Sequence, residues 1–247
     1  MPKLVLIRHG ESNYNKLGLF TGWIDTKLSD KGRDEVQKAG ELLKESGIKI
    51  DVAFTSVLSR AIQTANIALD VADQLWVPLV KNWRLNERHY GDLQGKNKAE
   101  ALEHFGPEKF KEYRRSYDIP PPPIAADSKF SQVGERRYSD LAPEVVPLTE
   151  SLKDVIERLI PYWQDEIAAK LLDGKTVAIF AHGNSLRGLI KHLDGLTNDE
   201  VSNLNVPTAQ PLVYELDDQL KPIKHYYLDE EGAKAGAAAV AAQGQKK

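Results

Sequence analysis

Lys3-Leu4-Val5-Leu6-Ile7-Arg8-His9-Gly10-Glu11 has a counterpart late in the chain, Val177-Ala178-Ile179-Phe180-Ala181-His182-Gly183-Asn184. Each holds an aliphatic run with no alternation of polar and apolar residues. That is how a strand reads when both of its faces are covered in a parallel sheet. Each run ends in a histidine followed at once by glycine. Between them the period changes to that of helices. Ser29 caps a helix to about Ser46, with Val36, Ala39 and Leu43 on one face and Gly47 closing it. The strand Asp51–Thr55 precedes a second helix with Leu58, Ile62, Ala65 and Leu69 along one side. Alternating strands and helices predict an α/β fold, a mainly parallel sheet flanked by helices on both faces. Ligands of such sheets bind beyond the carboxyl ends of the strands, so His9 and His182 are expected to face one crevice.

Working outward, a brief strand is predicted at Val77–Val80, then an irregular polar and aromatic segment, Trp83–Gly95. Two short helices are expected between Lys98 and Tyr117, broken at Gly106-Pro107. Pro120-Pro121-Pro122-Pro123 opens an insertion at about 118–149, too proline-rich for helix or sheet interior. Ser151 caps a long helix with Leu152, Ile156, Leu159, Trp163 and Ile167 on its buried side, kinked at Pro161. The strand over Lys175–Ala181, a helix over Ser185–Leu193 and a fifth strand at Leu212–Leu216 complete the pattern. It describes one domain over 1–231. The Ala/Gly/Gln/Lys-rich end, 232–247, is expected to be a mobile tail.

The 247 residues carry a net charge of −3, which gives no reason to expect nucleic acid or a membrane as partner. The absence of cysteine excludes disulfides and thiolate metal sites. No stretch approaches the roughly 20 apolar residues of a membrane span. Leu4–Ile7 is too short for a signal peptide and is cut by Arg8. The expectation is a cytoplasmic enzyme. Arg8 beside His9 disfavours protonation of the ring and leaves a nucleophilic lone pair, the equipment of a phosphoryl acceptor. No G-x-x-x-x-G-K-[ST] string supports nucleotide-dependent transfer.

Arg8-His9-Gly10-Glu11-Ser12, Phe20-Thr21-Gly22-Trp23, Thr55-Ser56 with Ser59-Arg60-Ala61, and Trp83-Arg84-Leu85-Asn86-Glu87-Arg88-His89-Tyr90-Gly91 form a specific set. With Arg114-Arg115-Ser116-Tyr117-Asp118 and Ala181-His182-Gly183-Asn184-Ser185-Leu186-Arg187, it resembles the cofactor-dependent phosphoglycerate mutases of the histidine phosphatase superfamily, over nearly the whole chain. The resemblance implies that His9 becomes phosphohistidine and that His182 hydrogen-bonds the phosphoryl oxygens. Arg8 and Arg60 would neutralise the charge spreading over those oxygens. Glu87 would be the general acid and base for the substrate hydroxyl, a task suited to a partly desolvated carboxyl. Arg88, His89, Tyr90, Lys98, Arg114 and Arg115 match positions in the segments that hold the substrate's carboxylate and second phosphate. Ser12, Asn15, Thr21, Gly22, Gly183 and Asn184 match loop positions that donate to phosphate. Gly10 and Gly183 would let the backbone approach the ligand closely.

The implied reaction interconverts 3-phosphoglycerate and 2-phosphoglycerate, primed by 2,3-bisphosphoglycerate, in a homodimer or homotetramer. No metal is expected, because arginines around the cleft would repel it. Two rival readings remain open. One is a bisphosphoglycerate mutase or phosphatase on the same scaffold; the other is a non-catalytic phospholigand-binding protein. The chain departs from the family where Pro-Thr-Gly-Ile-Pro is usual and Pro207-Thr208-Ala209-Gln210-Pro211 stands instead. A left-handed backbone there would cost about 1 kcal/mol at alanine.

Overall fold

The computed structural model describes residues 1–242. In chain order the elements are β1 (Lys3–Arg8), α1 (Asn13–Lys16), α2 (Asp30–Glu45), β2 (Val52–Thr55), α3 (Ser59–Val71), β3 (Leu79–Lys81), α4 (Lys98–Arg115) and α5 (Leu152–Tyr162). Then follow α6 (Ala168–Leu172), β4 (Val177–Ala181), α7 (Gly183–Asp194), α8 (Asn198–Asn203), β5 (Leu212–Leu216), β6 (Pro222–Tyr227) and α9 (Glu230–Ala242). The strands form one sheet in the order β3-β2-β4-β1-β5-β6. The first four are parallel; β5 runs antiparallel to β1, and β6 to β5.

Successive residues of a strand point to opposite faces, so each central strand feeds two cores. Leu4, Leu6, Phe54, Val177 and Ile179 join residues of α5, α6 and α7 on one side. Val5, Ile7, Ala53, Ala178 and Phe180 join residues of α2 and α3 on the other. This double burial accounts for the unalternated sequence of β1 and β4.

The expected helices form, with adjustments. Ser29 and Ser151 cap α2 and α5 as predicted. Gly106, at φ 75°, breaks α4 ahead of Pro107. Past Pro161, where a kink is expected, α5 runs on to Tyr162 and loosens into a π turn over Trp163–Ile167. In α3 Ala65 and Leu69 are buried as expected, together with Arg60, Ala61, Thr64 and Ala68, while Ile62 is only partly covered.

Three features were not anticipated. Strand β6 lies at the sheet edge; Ile223, Lys224 and His225 are exposed in its middle, so it shows neither an apolar run nor a regular alternation. The insertion is not a loose loop. Tyr138 is buried against Trp23 (ring centroids 5.0 Å apart), and Gln132 reaches His89 and Gln94. Much of the segment expected to be a mobile tail is helical, α9, with Ala233 and Val240 buried; 243–247 lie outside the described residues.

Candidate active site

Strands β1 and β4 pair in register, Arg8 opposite Ala181, and the His9 N–H donates to the Ala181 carbonyl at 3.0 Å. The residue after each strand is therefore forced beside its counterpart. The rings of His9 and His182 stand 5.0 Å apart between centroids, close to the spacing of adjacent strands.

The tautomer of His9 is set by its neighbour. Nδ1 lies 2.7 Å from the Gly10 carbonyl, which can only accept, so Nδ1 carries the proton and Nε2 the lone pair. The Arg60 Nε–H donates to that Nε2 at 3.3 Å. Burial, then Arg60, then Arg8, holds the ring well below the ordinary histidine range, so it is neutral at physiological pH. His9 is only 3% exposed, yet it lines a cleft open to solvent.

Of the expected site residues, Arg8, Asn15, Thr21, Gly22, Arg60, Glu87, Tyr90, Lys98, Arg114, Arg115, Gly183 and Asn184 line the same cleft. Arg60 reaches it from the first turn of α3, anchored to the Ile24 and Gly22 carbonyls. Arg8 is tied to the Val206 carbonyl at 2.7 Å, and its buried Nε has no partner. Glu87 Oε1 accepts from the backbone N–H of Arg88 at 2.7 Å and of Asn184 at 3.1 Å. The second contact ties it to the N-terminus of α7, where carboxylates and phosphates are favoured. A Cβ added at Gly183 would meet Arg8 at 3.5 Å and Glu87 at 3.6 Å, so the missing side chain keeps the space between these two groups open.

His182 lies just beneath this surface, fully buried. Its Nε2 is 2.7 Å from Ser56 Oγ, and its Nδ1 has no partner. Ser56 Oγ already accepts from the Leu58 N–H at 3.1 Å. The tautomer in which this hydroxyl donates its hydrogen to Nε2 leaves Nδ1–H as an unused donor. Ser56 thus orients His182; sequence proximity gave no sign of this, because 126 residues separate the two.

Some expected residues act from behind the wall. Ser12 caps α1 and engages Asn15 Oδ1, and does not reach the cleft. Arg88 is fully buried; it donates to the carbonyls of Tyr113 and Arg114 and lies over the Tyr90 ring at 4.5 Å. His89, expected among the substrate-binding residues, is instead turned away. Its Nε2 meets Gln132, its Nδ1 accepts from the Gly91 N–H, and burial pushes the ring down to about 4. Gly10 also differs from expectation. A Cβ there would lie 2.4 Å from the Gly32 carbonyl, so its glycine serves contact with α2, not with a ligand.

Arg187 is a further site residue beyond those the sequence motifs imply. It lines the cleft, held by the Val201 carbonyl and Asn184 Oδ1. Leu204, Asn205, Val206 and Val240 of α9 also contribute to the wall. Six cations thus surround one carboxylate. Burial and mutual repulsion lower Lys98 to about 8, Arg187 to about 9, and Arg60 and Arg114 to about 10. Burial alone would raise the Tyr90 hydroxyl, but Arg88 and Arg114 bring it down to about 8. Such a site is under electrostatic stress until a multiply charged anion enters it. The buried, unpartnered Arg8 Nε, Thr21 Oγ1 and His182 Nδ1 fit phosphate oxygens in the same way. Among the described residues, no three His, Asp or Glu side chains are grouped to hold a metal ion.

The loop before β5 carries the sequence departure. Ala209 sits at φ 49°, the left-handed region, buried and donating its N–H to the Arg8 carbonyl. The expected strain of about 1 kcal/mol therefore applies. Gln210 Oε1 is buried without a partner.

The model of the histidine phosphatase superfamily (branch 1) matches residues 4–229. A phosphoglycerate mutase of Candida albicans is 66% identical, with all of both chains covered. Phosphoglycerate mutase 1 of Saccharomyces cerevisiae is 65% identical, also over all of both chains. The 2,3-bisphosphoglycerate-dependent phosphoglycerate mutase of Leifsonia xyli is 58% identical over 98% of each. In structure, a phosphoglycerate mutase from Bacillus anthracis shares the fold at a TM-score of 0.65 and 22% identity, over 99% of this chain and 96% of that one. Fold, paired histidines and full-length identity agree: the chain belongs to the histidine phosphatase superfamily, and within it to the phosphoglycerate mutases.

Proposed function

We infer that this chain interconverts 3-phosphoglycerate and 2-phosphoglycerate through a phosphorylated His9, as a 2,3-bisphosphoglycerate-dependent mutase of glycolysis and gluconeogenesis. One observation carries the chemistry. A neutral imidazole presents its Nε2 lone pair at the floor of a cleft walled by arginines. When bound, 2,3-bisphosphoglycerate supplies the phosphoryl group that primes the enzyme.

The Nε2 lone pair forms the N–P bond as the P–O bond to the leaving oxygen breaks. Glu87 gives its proton to that oxygen, and takes a proton from the attacking hydroxyl in the return step. Arg8 and Arg60 balance the charge that spreads over the three remaining oxygens, and His182 Nδ1–H adds a donor. For phosphoryl transfer, such placement of charge is most of the catalysis. Tyr90, Lys98, Arg114, Arg115 and Arg187 hold the carboxylate and the second phosphate, for which arginine's forked donors are suited. Asn15, Thr21, Gly22, Gly183 and Asn184 complete the phosphate cradle. Ser12, Arg88 and His89 support these groups from behind.

The protein works in the cytoplasm as a homodimer or homotetramer, with no nucleic acid, membrane or metal partner. The net charge of −3 gives no reason to expect nucleic acid as a partner, and among the described residues no helix is long and apolar enough to cross a membrane. At one edge of the sheet Leu75, Trp76 and Val80 are exposed, Trp76 by 77%, which supports self-association. The deciding experiment is intact-protein mass measurement after exposure to 2,3-bisphosphoglycerate. A gain of one phosphoryl group, lost on acid treatment and absent in His9→Ala, is expected. A protein that never gains it is a ligand-binding protein, not this enzyme. Mutase, synthase and phosphatase rates on the same chelator-treated sample, with and without primer, separate the mutase from a bisphosphoglycerate mutase or phosphatase.

A further inference from the structure

The segment that carries Glu87 has no strand or α-helix to hold it. Only a single 3₁₀ turn, Trp83–Leu85, precedes it. The carbonyls that a ladder would pair are gathered by one side chain. Arg158, on α5, donates from Nη1 to the Arg84 carbonyl at 2.6 Å, and from Nη2 to the carbonyls of Asn86 at 3.1 Å and Glu87 at 2.9 Å. Its Nε meets Glu150 Oε1 at 2.6 Å. Glu150 closes the circuit: its Oε2 accepts from the His89 N–H at 2.8 Å, and its own N–H donates to the His89 carbonyl at 2.9 Å. The Trp23 indole N–H grips the Glu87 carbonyl from another direction at 2.6 Å.

The pair is buried, with side chains 8% and 5% exposed. A buried ion pair seldom adds stability over an apolar pair of similar size, so stability alone does not account for it. Its contacts are directed at the backbone on both sides of Glu87. Only a planar guanidinium has enough donors, in a fixed fork, to span three carbonyls and a carboxylate at once.

We propose that Arg158, braced by Glu150, is a positioning residue that sets the place of the Glu87 carboxyl between the phosphoryl site and the α7 N-terminus. The proposal rests on the reading of Glu87 as the proton-transfer group. Arg158 touches no reacting atom; it fixes the backbone from which Glu87 projects.

The test is a double-mutant cycle on mutase kcat, using Arg158→Lys, Glu87→Gln and the double variant. Lysine keeps the charge opposite Glu150 but cannot reach all three carbonyls. A displacement of about 1 Å at a reacting group lowers rate by about 10²-fold, which is the loss expected in Arg158→Lys, with KM little changed. In the Glu87→Gln background the same change should cost nothing further, because its route of action is gone. Glu150→Gln enters the same cycle if the lysine variant does not fold, with thermal unfolding of each variant recorded in parallel. Wild-type kcat in folded Arg158→Lys, or losses that multiply in the double variant, would overturn the proposal. Wild-type kcat in Glu87→Gln would instead overturn the reading of Glu87 on which it rests.

Discussion

Replacing Ser56 by alanine removes the one hydroxyl that touches His182 Nε2, at 2.7 Å in a fully buried site. Two groups then lose their partner, His182 Nε2 and the Leu58 N–H. Each orphaned buried group costs about 1–3 kcal/mol, so the variant should be destabilised by roughly 2–6 kcal/mol, and the kinetic comparison is made on folded protein. The catalytic effect is separate. The hydrogen bond is worth about 1–1.5 kcal/mol as a bias toward the tautomer that carries its proton on Nδ1, or roughly tenfold in population. Without it kcat should fall by about tenfold, whereas His182→Ala, which removes the donor outright, should cost about 10²–10³. Steady-state mutase rates at saturating primer measure the first effect. ¹⁵N NMR of imidazole-labelled protein reports the tautomer directly. A folded Ser56→Ala protein with wild-type kcat, or wild-type His182 protonated at Nε2, would refute the assignment of Nδ1–H as the donor to phosphate.

His9→Ala should abolish mutase turnover while leaving the thermal midpoint close to wild type; residual turnover would mean that another residue accepts the phosphoryl group. Truncation after Leu228 removes α9 and with it Val240 from the cleft wall. It should impair mutase rate and spare the fold, and circular dichroism alongside the rate checks both. Burial lowers His89 to about 4 and drives His9 and His182 well below their ordinary range, so the unfolded chain takes up protons that the folded chain refuses. Stability from these groups is therefore complete above the ordinary histidine range and is lost as pH falls. His89 alone should contribute a loss of about 2 kcal/mol by roughly pH 5, read as a drop in the urea midpoint. An unchanged midpoint would contradict the burial of these rings.

The sequence by itself determined the central strands and the placement of the paired histidines. A strand covered on both faces must be apolar throughout, and β1 and β4 could be recognised for that reason. Most of the remaining cleft wall was named through resemblance to the family's motifs, and the structure brings the start of α3 and the end of α4 to the same end of the sheet as the residues after those strands. Tertiary structure decided the rest. Strand β6 is an exposed edge with no apolar pattern to betray it. Helix α9 hides in a composition where glycines at 232 and 236 argue against helix while its alanines favour it. His89 adjoins Arg88 and follows Glu87 by two positions, yet an irregular backbone turns it toward Gln132, and no periodicity predicts the direction of such a residue. Ser56, Arg158 and Arg187 acquire their roles from partners far away in the chain, His182, the carbonyls of 84–87, and Asn184 with Val201. Hydrogen bonds between distant segments leave no local mark in a sequence; only the folded chain brings donor and acceptor to the same place.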